Sequence, residues 1–341
     1  MESYRPNRRQ FLKFFGVTLL ISQLPAVAQN NLSPPSILKP PHLKVGDTIG
    51  LISPAGAVDQ KTVDEFTQIL LKLGLKVKLG KHILDRYGYL AGKDINRAAD
   101  VNAMFADTSV QGIFTMAGGW GCNRILPLLD YNLIRQNPKI IMGFSDVTSL
   151  ILAIYARSGI IAFHGPLATS TWNTFSVEHV QRILFNGEAM ILINLLSTPV
   201  ETITSGKVRG RLVGGNLSLV TALVGSGYLP DWDKTILFVE EVREDVYRVD
   251  RMLTQLKLAG ILDKIAGFIF GQCTKCSAGE DNEPSLTLQE VLSDRIKPLG
   301  IPAWYGSMIG HIPDKFTLPL GVEVEIDADL GAIRMLESAV V

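Results

Sequence analysis

Two rhythms of apolar and polar residues alternate along this chain: short continuous apolar runs, and stretches whose apolar residues fall three and four apart. Thr48 to Ile52 is a run of the first kind, closed by Ser53-Pro54-Ala55-Gly56. Val63, Phe66, Ile69, Leu70 and Leu73 then follow at helical spacing. The pairing recurs at Gly112 to Met116 ahead of a glycine run, and at Lys139 to Phe144 ahead of Val147 to Arg157. Strand followed by helix, repeated, predicts an α/β domain in which helices cover a mostly parallel sheet, from about residue 43 to 171.

Periodicity weakens over 172–207, which reads as a crossover between lobes. From Val208 the pattern changes. A Gly-Gly-Asn turn is expected at Gly214 to Asn216, a strand at Thr235 to Val239, a helix through Val249, Met252, Leu253 and Leu256, and a strand at Ile265 to Phe270. Val322 to Ile326 alternates with period two and turns at Ala328 to Gly331 into Ala332 to Leu336, a solvent-facing antiparallel hairpin. Residues 208–341 therefore read as a smaller mixed α+β domain, and the interface of the two domains is the default place for a site.

Composition narrows the function. A hydrophobic content of 47% over 341 residues supports a substantial core, and 33 basic residues balance 33 acidic ones. With no run of like charge, nothing attracts a phosphate backbone, so nucleic acid is not an expected partner. Arg8 and Arg9, followed by Gln10, Phe11, Leu12 and Lys13, resemble a twin-arginine export signal, with Asn7 where Ser or Thr is more usual. The apolar stretch Phe14 to Ile21 is too short to span a bilayer, and Ala26-Val27-Ala28 is a small-x-small cleavage site. Cleavage after Ala28 is expected, giving a periplasmic protein with no membrane insertion. Residues 29–42, with Pro34, Pro35, Pro40 and Pro41, read as an extended linker. Cys273 and Cys276 could bridge locally in an oxidising compartment, while Cys122 reads as a packed small residue. Neither these cysteines nor any His-Glu spacing makes a metal site, and no cofactor is called for.

The sharpest local feature is Lys139 to Thr148, where an apolar strand ends at Gly143 and Ser145 stands at the turn into a helix. A nucleophile elbow needs this: the hydroxyl is presented at the carboxyl end of a strand, and the next backbone N–H points the same way. The plainer alternative makes Ser145 a helix N-cap. A serine nucleophile needs a base, and among five histidines His164, in Phe163-His164-Gly165-Pro166, and His311, in a Gly/Pro-bounded loop, are both placed for it; these residues alone do not choose between them. Glu240 ends the apolar strand Thr235 to Val239, so its charge is held against a core and needs a partner: an imidazole, or an arginine such as Arg243 or Arg248. The run Ala117-Gly118-Gly119-Trp120-Gly121 lacks a dinucleotide fingerprint and reads as a tight loop whose bare N–H groups approach a ligand.

Eight ordered blocks resemble the LD-carboxypeptidase family, the murein tetrapeptide carboxypeptidases and their microcin-immunity relatives. They are VGDTIGLISPAG at 45–56, YLAGKDINRAAD at 89–100, GGWGCNRIL at 118–126, PKIIMGFSDVT at 138–148, FHGP at 163–166, GGNL at 214–217, VEEVREDVYRVDRML at 239–253 and GHIPDKFTLPLG at 310–321. The resemblance implies Ser145 as nucleophile, Glu240 as acid and His311 as base, with an oxyanion hole from the N–H groups of Asp146 and Gly119. Gly118, Trp120 and His164 would then border the substrate. Ala117 departs from the family, many of whose members carry Arg there. The activity implied is serine-type hydrolysis of the L,D-bond of a murein tetrapeptide with release of terminal D-Ala; relatives often pair as homodimers. Two rivals stand beside it: a microcin-type carboxypeptidase acting on a peptide-nucleotide, for which Trp120 or Trp172 would stack on the base, and an exported two-lobed protein that binds peptide without turnover.

Overall fold

Four buried apolar runs of the first half become parallel strands of one sheet because helices cover them on both faces, leaving no side for polar alternation, and a fifth strand, Lys76–Leu79, adds a largely exposed parallel edge. The computed structural model describes residues 35–278 and 284–341; the expected export signal, 1–28, and the start of the expected linker, 29–34, lie outside them. The strands are β1 (Thr48–Ile52), β2 (Lys76–Leu79), β3 (Gly112–Thr115), β4 (Ile140–Gly143) and β5 (Ala162–His164). Their spatial order is β5-β4-β3-β1-β2, all parallel. The expected α/β architecture with a mostly parallel sheet is thus present.

The second sheet holds eight strands: β6 (Ile191–Leu192), β7 (Glu201–Thr204), β8 (Lys207–Asn216), β9 (Ile236–Val242), β10 (Gly267–Thr274), β11 (Ala303–Tyr305), β13 (Glu323–Asp327) and β14 (Ala332–Met335). Strands β8, β9, β10 and β11 run parallel at its centre, and antiparallel partners flank them. The late hairpin is β13–β14: Val324 and Ile326 are buried, while Glu323 and Glu325 face outward toward Arg211 and Arg209. Between these in the chain, β12 (Leu318–Leu320) crosses back and pairs antiparallel with β5, completing the first sheet from late sequence.

Three local readings are corrected. The segment 35–42 is docked, not an extended linker: Leu38 exchanges backbone hydrogen bonds with Gly159 and Ile161, and His42 N–H donates to the Val341 carbonyl. Residues 172–207 contribute the helix Thr174–Val180 and the strands β6 and β7, not only a crossover. Gly214 to Asn216 do not turn but finish β8. A Cβ on Gly215 would stand 2.4 Å from Thr148 Cγ2, so the glycine lets β8 close on the helix Thr148–Ser158. The Thr148 hydroxyl accepts the Asn216 N–H at 3.0 Å, and Asn216 caps the helix Leu217–Ala222.

The helix Thr148–Ser158 packs on β4 and on β8, which is why residues 148–154 are buried on every face and its sequence is apolar without a polar stripe. Each Leu or Ile so enclosed contributes about 1.5–3 kcal/mol. The serine at its head is thereby fixed relative to both sheets. Among the described residues no helix is long and apolar enough to cross a membrane.

Candidate active site

Strand β4 stops at Gly143, Phe144 stays extended, and Ser145 takes φ 61°, the left-handed region that an L-residue enters at a cost of about 1–2 kcal/mol. A short 3₁₀ turn, Ser145–Val147, then leads into the helix. This reversal aims the Ser145 side chain away from the helix it precedes, and neither the turn nor the helix receives a side-chain cap. The N-cap alternative therefore gives way: the hydroxyl is used elsewhere.

It meets His311, whose Nε2 lies 3.1 Å from Ser145 Oγ and whose Nδ1 lies 2.7 Å from Glu240 Oε2. A carboxylate only accepts, so Nδ1–H donates to Glu240, and Nε2 is left to accept the serine proton. Glu240 lies within β9, two residues before its end at Val242 and opposite Asn216 of β8, with its side chain fully buried. Gly310 makes the contact with His311 feasible. At φ 112° it occupies a conformation side chains rarely adopt, and a Cβ there would fall 2.5 Å from Glu240 Oε2. Arg248 pairs instead with Glu244 and Asp245, and Glu241 turns the other way, accepting from Asn216 Nδ2 and the Ser218 N–H.

The glycine loop closes on the serine from the first sheet. A Cβ on Gly118 would stand 2.8 Å from Ser145 Cβ and 3.5 Å from the Asp146 nitrogen, so only bare backbone fits there. The Gly118 carbonyl accepts the Gly56 N–H at 2.9 Å, and the buried Asp146 carboxylate accepts the Cys122 N–H at 2.8 Å. These bonds hold the glycine loop against the elbow that carries Ser145. A cavity of about 530 Å³ opens over the group, lined by Gly118, Gly119, Ser145, His311, Lys315 and the stretch from Leu167 to Thr171.

Residues 49–165 match the family model for the LD-carboxypeptidase N-terminal domain, and residues 209–326 match that for the C-terminal domain. The chain belongs to the LD-carboxypeptidase family. A Bacillus subtilis relative named "Probable murein peptide carboxypeptidase" is 39% identical over 293 residues, covering 85% of this chain and 91% of the relative. Among solved structures, the microcin C7 self-immunity protein MccF in complex with glutamyl sulfamoyl guanosine superposes with a TM-score of 0.81 at 29% identity, covering 89% of this chain and all of that one. The muramoyltetrapeptide carboxypeptidase from Oxalobacter formigenes superposes at 0.73 and 26% identity, over 84% of this chain and 97% of that one.

Within this LD-carboxypeptidase the remaining site candidates separate. Gly118 and Gly119 line the cavity, as the glycine run suggests. His164 does not. It is buried behind Phe144 and Phe238, with ring centroids at 5.7 and 5.3 Å, and its Nδ1 has no partner; burial pushes it down to about 4, so it is a neutral packing residue. Trp120 lies outside the cavity lining, half exposed, edge-on to Tyr89 and beneath the Arg124 guanidinium. Trp172 lies outside the cavity lining, packs on Phe66 and Phe114 and donates its indole N–H to the Leu167 carbonyl. Cys273 and Cys276 form a disulfide, and Cys122 is buried, its thiol pushed up by burial and by Asp146. Sequence reasoning assigned no role to Lys315, a cation in the cavity wall with 5% of its surface exposed. The signal available was its place four residues after His311 in the same loop.

Proposed function

We propose that this protein is an exported serine carboxypeptidase that cleaves the L,D-peptide bond of murein tetrapeptides and releases the terminal D-Ala. The hydrogen-bonded chain Ser145–His311–Glu240 carries the reading: a hydroxyl, a correctly oriented imidazole and a buried carboxylate in sequence, opening on a cavity. The murein substrate is supported by the names of the Bacillus and Oxalobacter relatives. Export is supported by Arg8-Arg9 and the Ala26-Val27-Ala28 site.

In this mechanism His311 Nε2 takes the Ser145 proton as Oγ attacks the peptide carbonyl. The negative charge that develops on the carbonyl oxygen is met by the N–H groups of Gly119 and Asp146, and Glu240 stabilises the imidazolium. His311 then protonates the departing D-Ala nitrogen, the C–N bond breaks, and water activated by the same imidazole releases the acyl group from Ser145. The left-handed backbone of Ser145 keeps Oγ and the following N–H on one side of the scissile bond.

The test incubates the purified protein and its Ser145→Ala variant with defined muropeptides and weighs the products. Loss of one D-Ala from tetrapeptide with wild type alone is expected; intact tetrapeptide with both overturns the substrate. A peptidyl-nucleotide analogue in the same assay decides the microcin-type reading, which the likeness to MccF favours. Export is checked by fractionating cells that make the wild-type chain or an Arg8→Lys/Arg9→Lys variant; equal distribution of the two overturns it.

A further inference from the structure

A carboxypeptidase differs from an endopeptidase in what it must recognise, because it has to detect a free carboxylate one residue beyond the bond it cuts. Among the residues that line the cavity over Ser145, the charged or titratable side chains are His311, committed to Ser145 and Glu240, and Lys315. Among the described residues, no acidic one lines it.

Lys315 is built in rather than draped on the surface. The loop that carries it is tied to the start of the helix Thr174–Val180: Ser176 Oγ donates to the Pro313 carbonyl and accepts the Lys315 N–H, both at 3.2 Å, and Asn173 Nδ2 donates to Asp314. Its ammonium stands 5.1 Å from the centroid of the Phe144 ring, and the same ring lies 4.8 Å from that of His311. Phe144 thus fixes the cation next to the catalytic imidazole. Among the described residues Lys315 joins no ion pair within 4.0 Å, although Glu240, Asp314 and His164 stand near enough to matter electrostatically and His311 packs against the same Phe144 ring. A largely buried cation with no carboxylate in direct contact is costly unless a ligand supplies one. Burial pushes Lys315 down to about 8, against the pull of Glu240, so at pH 7 the amine is mostly charged and ready for an anion.

We infer that Lys315 is the specificity-determining residue of this enzyme, its ammonium receiving the terminal α-carboxylate of the leaving D-amino acid. This rests on the carboxypeptidase reading above and deepens it. The carboxylate would complete the ion pair that the protein leaves open and draw the preceding peptide bond toward Ser145. A peptide extended at its C-terminus would have no charge to offer at that distance, which gives the exopeptidase its limit of one residue.

The experiment compares the tetrapeptide acid with its C-terminal amide, on wild type, Lys315→Met and Lys315→Arg, with kcat and KM separated. Binding of both peptides to Ser145→Ala and to Ser145→Ala/Lys315→Met is measured beside it. A charge-assisted hydrogen bond predicts an acid-over-amide preference of about ten- to hundredfold in kcat/KM, mostly in KM. That preference should vanish in Lys315→Met, through loss on the acid alone, and return in part with Lys315→Arg. An acid-to-amide ratio that is the same in wild type and Lys315→Met, whether or not overall activity falls, overturns the role of Lys315 and leaves the murein reading standing. Absence of both turnover and binding of the tetrapeptide with folded wild type overturns the substrate reading, and this inference with it.

Discussion

The carboxylate of Asp146 accepts the backbone N–H of Cys122 at 2.8 Å, so the residue after the nucleophile holds the far end of the glycine loop. Both proposed oxyanion donors are therefore positioned by one buried side chain: its own N–H on one side, the Gly118–Gly121 loop on the other. Burial pushes this carboxyl up, while the Cys122 hydrogen bond and the nearby Arg97 oppose that shift. Replacing it with Ala leaves the Cys122 N–H unpaired in the core, at about 1–3 kcal/mol. Asp146→Ala should lower Tm and also depress kcat, by about tenfold or more, because a slack donor loop loses transition-state contacts first. Thermal denaturation alongside steady-state kinetics checks both; full kcat at a lowered Tm would dismiss the loop's dependence on Asp146.

Ser145 should separate stability from activity. Its φ of 61° is one that glycine adopts freely and alanine does not. Ser145→Ala and Ser145→Gly should both be inactive, yet the glycine variant should be the more stable of the two by about 1 kcal/mol, despite the usual entropic cost of glycine. Urea denaturation of the two proteins measures the difference, and the opposite order would show that the elbow is not strained.

Glu240→Gln keeps the size of the side chain and removes its charge. An amide can turn its NH₂ toward His311 Nδ1, forcing the proton to Nε2 where it can no longer accept from serine. Activity should fall on the order of a thousandfold or more, with KM changed little. Stopped assays with a long time base are sensitive enough to read the activity that is left, and a loss below tenfold would remove Glu240 from the mechanism.

Acid stability should depend on His164. Its pKa is depressed in the fold to about 4, from 6.5, so below 6.5 the unfolded chain takes up a proton that the folded one refuses. The stability contributed by keeping it neutral is complete above pH 6.5 and is lost as pH falls toward 4, by as much as about 3 kcal/mol. His164→Phe, which also removes an unpartnered buried nitrogen, should flatten this acid-side decline. Melting curves from pH 4 to 8 report it; parallel curves for the two proteins would count against a buried neutral imidazole.

The strand–turn–helix around Ser145 was legible because it is local: an apolar run, a glycine and a serine close together in the chain state the elbow. Glu240 was legible as a charge at the end of a core strand, but its partner was not, since 71 residues separate it from His311 and 166 separate His311 from Ser145. Residue patterns alone left His164 and His311 equal; burial behind Phe144 is what divides them, and burial of a loop residue has no periodic signature. The same blindness hid Lys315. Gly214-Gly215-Asn216 misled because glycine pairs usually mark turns, whereas here Gly214 lets the Phe238 backbone approach and Gly215 makes room for Thr148, which precedes Asn216 by 68 residues. The packing of segment 35–42 was hidden by its prolines, whose extended backbone suits docking as well as it suits a tether.

Strand β12 has a consequence for biogenesis. Until a ribosome has passed Leu320, the edge of β5 that begins at Ala162 has no neighbour, and the imidazole that the nucleophile requires has only just been made. A product that stops short of His311 lacks the base on which Ser145 depends. The triad and the sheet edge beside it are complete only once His311 and Leu320 have both been made.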